Sequence, residues 1–205
     1  MNKATRILVL TLVLYAALLT SLHGLSEYHQ GASPTNGISI HAIGAPCEPD
    51  LVWHACFPAL TIFGTYDTAG LMTLILTGLL IARSIRPMKK ARQGLLLILL
   101  GGLLFISGGG FIAFFIVLVA GTAAFFKPKG KQGEISPFSQ KMANGWPWLL
   151  VIYLLIVGLE ALLGAFNNEL ASQLSGILLP IEFTILILAA VAAHAWDLIQ
   201  NESKP

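Results

Sequence analysis

Three acidic residues stand inside long apolar runs: Asp67 within Pro58–Ala82, Glu160 within Trp146–Phe166, and Glu182 within Gly176–Trp196. A carboxylate in an apolar span costs ~2.5–3.5 kcal/mol on insertion scales, so it normally faces protein or water and often marks an ion route. Glu160 lies six residues before Phe166 and Glu182 six after Gly176. At ~1.5 Å rise per residue both sit ~9 Å below the same interface. Carboxylates at matching depth on adjacent passes can share a proton, which is the chemistry of proton exchange. The structural alternative is hydration near the interface or a bond to a neighbouring protein. For Asp67 that alternative is capping of the helix it enters. His194 lies 12 residues beyond Glu182, roughly 120° around a helix, and does not extend its face.

Cys47 and Cys56 are the second chemical feature, with eight residues between them. Two thiols this close on an oxidising side of a membrane usually form a structural disulfide. Free thiols, or a metal or redox site drawing on His54 and His41, are the alternatives. There is no C-x-x-C pair, nucleotide-binding loop, iron–sulfur spacing or H-E-x-x-H. No metal or cofactor is therefore expected, and any catalysis would belong to partner proteins.

These residues must be positioned by membrane helices. Of 205 residues, 56% are hydrophobic and 11% charged, against about 25% charged in a soluble domain. That excludes a soluble globular enzyme, a disordered chain and a nucleic-acid binder. A spanning helix needs about 20 apolar residues. Ile7–Leu22, Pro58–Ala82, Trp146–Phe166 and Gly176–Trp196 each supply one pass. Gly94–Phe126 has 33 residues without Asp, Glu, Lys, Arg or His, too long for one pass and tight for two. Its middle, Ser107-Gly108-Gly109-Gly110, is poor helix interior.

The basic residues decide the count. With both termini inside and a turn at Gly108–Gly110, all 12 Lys and Arg fall on one face, and Ser26–Phe57 carries none. A single third pass would put four lysines on the wrong side, and Lys and Arg bias is the governing orientation signal. The expected fold is an all-α integral membrane protein of six transmembrane helices, both termini cytoplasmic, with a tight hairpin at Gly108–Gly110. The first helix is expected to remain uncleaved. Ser26–Phe57 should form a compact irregular outer cap, Asn167–Ser175 a short outer turn, and Lys127–Asn144 a basic inner loop.

Gly108-Gly109-Gly110-Phe111 between two short helices resembles the P-G-G-G-F-x-x-G signature of the B-type membrane protein of Mrp-type multisubunit sodium/proton antiporters. Leu103–Ser107 stands where that family carries Arg-Gly-His. Leu179–Ile187, around Glu182, resembles the start of the family's last helix. Phe63-Gly64-Thr65-Tyr66-Asp67-Thr68-Ala69-Gly70 is similar to the F-R-G-Y-D-T-L-G-E motif, which lies in the last helices of the A-type antiporter protein and in the matching small membrane protein of membrane-bound hydrogenases. Asp67, Thr68 and Gly70 match it. The resemblance implies two segments joined end to end: 1–92, two helices with the cysteine-bearing loop, and 93–205, four helices of the B-type antiporter kind. It also implies a non-catalytic component of a cation/proton antiporter or related energy-converting complex in a prokaryotic cytoplasmic membrane. The implied partners are other membrane subunits of a hetero-oligomeric complex, lipid, sodium ions and protons, with Cys47 and Cys56 outside. The alternatives are a stand-alone small transporter, a membrane anchor or assembly protein, and a thiol-redox membrane enzyme.

Overall fold

The computed structural model describes residues 3–41, 58–86, 91–126 and 137–202. Cys47 and Cys56, and with them the expected disulfide, lie outside the described residues. The elements run α1 (Lys3–His29), β1 (Ser39–His41), β2 (Pro58–Leu60), α2 (Tyr66–Ile85), α3 (Arg92–Phe105), α4 (Phe111–Phe125), α5 (Pro137–Phe166) and α6 (Asn168–Glu202). Helices dominate because lipid offers no partner to a backbone N–H or C=O, so an apolar segment must satisfy its own.

Four helices, α1, α2, α5 and α6, are long and apolar enough to cross a membrane. The six-helix expectation holds at the level of elements. α3 and α4 have 14 and 15 residues, ~21–23 Å at helical rise and short of the ~30 Å hydrocarbon core.

α1 is the hub. Its Leu8, Leu12, Val9 and Val13 are fully buried, in one core with Leu80 of α2, Leu97 of α3, Ile116 and Val117 of α4, and Leu186 of α6. Both halves of the sequence therefore share that core. Outward-facing leucines such as Leu18, Leu79, Leu99 and Leu159 remain about half exposed or more, as a lipid-facing surface requires. Small residues set the closest approaches, the usual device where helices pack without a hydrophobic drive. A Cβ on Gly94 would strike the Gly121–Phe125 backbone, and one on Gly70 would strike Gly24 and Tyr28.

The turn between α3 and α4 forms at the expected glycines. The Ser107 and Gly109 amides both donate to the Leu104 carbonyl, and Gly108 and Gly110 adopt φ of 119° and 79°, a region that costs other residues dearly. α3 and α4 are thus an antiparallel pair, with Gly94 beside Phe125 at the far end. At that same end the Asp197 carboxylate of α6 meets the start of α1. The described basic residues Lys3, Arg6, Arg83, Arg86, Arg92 and Lys141 all belong to helix ends there.

Three boundaries differ from expectation. The segment expected as an irregular cap is not wholly so: its β1 pairs antiparallel with β2, Ser39 opposite Leu60 and His41 opposite Pro58. Helix α5 starts at Pro137 rather than Trp146, absorbing part of the expected basic loop. The expected turn Asn167–Ser175 contracts to Asn167, because α6 starts at Asn168. Asn167 ends one helix with its amide on the Leu163 carbonyl and caps the next with its Oδ1 on the Leu170 amide, 3.0 Å away. Hydropathy marks where a chain enters lipid, whereas helices continue into water wherever residues such as Glu169, Leu170 and Ala171 permit it.

Candidate functional site

Two polar clusters interrupt the apolar core, both lined by α1. The first contains the expected pair. Glu160 of α5 and Glu182 of α6 are both buried, at 7% and 6% exposure, with their carboxyls within interaction distance of each other. Glu182 Oε1 has no hydrogen-bond partner among the described residues. Tyr15 of α1 and Tyr153 of α5 lie within electrostatic reach of both carboxyls, and their rings meet edge to face at 6.1 Å. Tyr153 is a core residue at 2% exposure, whereas Trp148 of the same helix is 68% exposed. The pairing is not symmetric about Asn167, since Glu182 lies farther along the chain from it than Glu160 does. Pro180, which cannot donate an i→i−4 bond, stands in the intervening stretch of α6.

Two carboxylates in contact and out of water cannot both carry a bare charge cheaply; a proton or a cation must accompany them. The two phenols are further ionisable groups within reach of the cluster. This arrangement can hold and exchange a proton.

The second cluster lies where α1 passes beneath the Gly108–Gly110 turn. Glu27 is completely buried and neither carboxylate oxygen has a hydrogen-bond partner among the described residues. Its carboxyl occupies the space that a Cβ on Gly108 would take, and the His23 ring lies against Gly110 in the same way. His23 hydrogen-bonds the Gly108 main chain, while its Nδ1 is buried and has no partner among the described residues. Around them run hydroxyls: Thr73 donates to the Ser107 carbonyl at 2.9 Å, and the Thr20 and Thr77 hydroxyls meet at 2.8 Å. A strip from β2 to α2 covers the turn, with the Ile62 amide on the Ile106 carbonyl and Thr61 bridged to Ser107.

No protein-family model, curated protein or solved structure matches the chain.

The residues themselves therefore carry the functional reading. Asp67, the third acid found within an apolar run of the sequence, stands apart from both clusters, partly exposed in the first turn of α2. Its Oδ1 accepts the Thr65 hydroxyl and the Thr68 amide, and its own amide donates to the Gly31 carbonyl. This is the terminus-stabilising geometry that favours a structural role. Gly108, Gly109 and Gly110 are buried, and Phe111 opens α4 against Phe105 and Phe115. Among the described residues no group of three His, Cys, Asp or Glu side chains is placed to hold a metal ion. His194 lines an apolar groove of about 650 Å³ between α4 and α6, beside Thr122 and Val191.

Sequence reading missed Glu27 and His23. Both fall at the edge of the first apolar run, where a charge looks like a solvated flank. The signal was their spacing: residues four apart share a helix face, and that face is Thr20, His23, Gly24 and Glu27, polar or small throughout.

Proposed function

We propose that this chain is a membrane component of a multisubunit cation/proton antiporter or a related energy-converting complex, in which Glu160 and Glu182 take up and pass protons. The observation that carries the reading is the contact between these two carboxyls, buried at 7% and 6% exposure inside a helical bundle. Paired intramembrane acids are expensive, and a structural bundle has no need of them. The resemblance of the glycine turn and of the Asp67 segment to antiporter and hydrogenase membrane proteins supports the same assignment. In this reading all six helices cross a prokaryotic cytoplasmic membrane, with both termini and the basic helix ends inside. The strand pair and the segment bearing Cys47 and Cys56 lie outside. Lipid and other membrane subunits cover the half-exposed leucines, and catalysis resides elsewhere in the complex.

The test is cation-driven proton movement in vesicles containing the intact complex with Glu160→Gln or Glu182→Gln, with subunit content measured in parallel. Either change is expected to reduce exchange at least tenfold while the complex stays whole. Normal exchange in both variants with all subunits present rejects the proposal. Release of the chain from its partners would assign the pair to assembly instead.

A further inference from the structure

The Glu27–His23 cluster has no part in the Glu160–Glu182 site, which α1 approaches through Tyr15, eight residues from His23 and twelve from Glu27. Four observations bear on its use. Both Glu27 oxygens and the His23 Nδ1 are buried without partners among the described residues, an arrangement that native cores avoid unless the group has work to do. The two side chains stand one turn apart on one face of α1. Glycines at 108 and 110 leave the room that they occupy, and any Cβ there would collide with them. The hydrogen bond from His23 to the Gly108 main chain leaves Nδ1 as the bare nitrogen and sets the tautomer.

We propose that Glu27 and His23 form a second proton-binding site beneath the Gly108–Gly110 turn, in which the Glu27 carboxyl and His23 Nδ1, one helical turn apart and not bonded to each other, each take up and release a proton. Each step is a plain protonation: a proton arriving from the surface forms the Glu27 O–H or the Nδ1–H, and leaves by the breaking of the same bond. The neutral pair needs no counter-ion, and the ionised pair supplies its own. From α2, the titratable group facing Glu27 is the Tyr66 phenol; the α3–α4 turn contributes only Ser107 and glycines, and the covering strip contributes Thr61. On α1 itself, Tyr28 and His29 point outward. The described Lys and Arg belong to the opposite end of the bundle. Tyr66, partly exposed, lies between Glu27 and the surface. In the other direction the Thr20–Thr77 hydroxyls continue the polar file toward the bundle centre.

The test uses the whole chain in lipid vesicles and does not depend on transport. Infrared difference spectra recorded across a pH step should contain a protonated-carboxyl band that disappears in Glu27→Gln and persists in Glu160→Gln and Glu182→Gln. Nitrogen-15 spectra of histidine-labelled chain should show His23 with a bare Nδ1 that titrates, and Glu27→Gln should move that titration. Circular dichroism identifies any variant that has failed to fold, and Glu27→Asp, which keeps the carboxyl, should retain the band. An unchanged band in folded Glu27→Gln overturns the proposal, as does a His23 titration indifferent to residue 27. A Glu27 band that follows sodium concentration at fixed pH would make the site a cation site and overturn it equally.

Discussion

Asp197, near the end of α6, holds Thr5, at the start of α1: one carboxylate oxygen accepts the Thr5 amide at 2.9 Å and the other accepts the Ala4 amide at 3.0 Å. First-turn amides have no partner within their own helix. Here the cap comes from the opposite end of the chain, and a carboxylate also suits the positive end of the helix dipole. Asp197 is 1% exposed, so water cannot readily replace it. Asp197→Ala should cost about 1–3 kcal/mol by leaving buried donors unsatisfied, and Asp197→Asn should cost less because one acceptor survives. Unfolding midpoints in mild detergent compare the two. Equal stability of the Ala variant and the parent would show that the cap contributes nothing.

The glycine turn makes a sharper stability prediction. Gly108→Ala and Gly110→Ala each force a Cβ into a positive-φ position and into the Glu27 carboxyl or the His23 ring. Losses of at least about 1–3 kcal/mol are expected from the backbone alone. Gly102, helical with open space around its Cβ position, is the control. Gly102→Ala should be neutral or stabilising by up to about 1 kcal/mol. Thermal melts of the three variants would reverse this order only if the turn were built differently.

Thr20 and Thr77 tie α1 to α2 inside the bundle. Thr77 donates its only hydroxyl proton to the Thr73 carbonyl at 2.7 Å, so the 2.8 Å contact is a bond donated by Thr20. The longer 3.2 Å approach of Thr20 to the Ala17 carbonyl is the weaker option for that proton. A double-mutant cycle with Thr20→Val and Thr77→Val should return a coupling of about 0.6 kcal/mol, and not above ~1.7 kcal/mol. Zero coupling would mean the hydroxyls do not bond to each other.

Labelling tests the proposed six-pass arrangement. In a background with Cys47→Ser and Cys56→Ser, single cysteines replace the exposed residues Ile62, Arg86 and Phe126. Arg86 and Phe126 should react with a membrane-impermeant thiol reagent from one side of the membrane, and Ile62 from the other. Reaction of Arg86 and Phe126 from opposite sides would turn the α3–α4 pair into a single pass.

The helices, their number and the glycine reversal were legible in the sequence because they answer to local rules. Apolar run length measures a span, three glycines defeat a helix interior, and the distribution of Lys and Arg orders the ends. That Glu160 and Glu182 stand on neighbouring helices was readable, since helices joined by a short link lie side by side; the equal depth expected for them was not found, because Glu182 lies fifteen residues from Asn167 and Glu160 seven. The extra turns at the start of α5 and α6 escaped because hydropathy reports the solvent of a segment and is silent on its backbone. Tertiary structure alone decided the rest. Nothing in the residues around Asp197 says that it caps a helix beginning more than 190 residues earlier. The polar face of α1 around Glu27 is visible in the sequence, but what buries it is not, because Gly108 comes from the α3–α4 turn. Burial and partnership belong to pairs of distant segments, and a single sequence carries no record of which segments meet until the chain has packed.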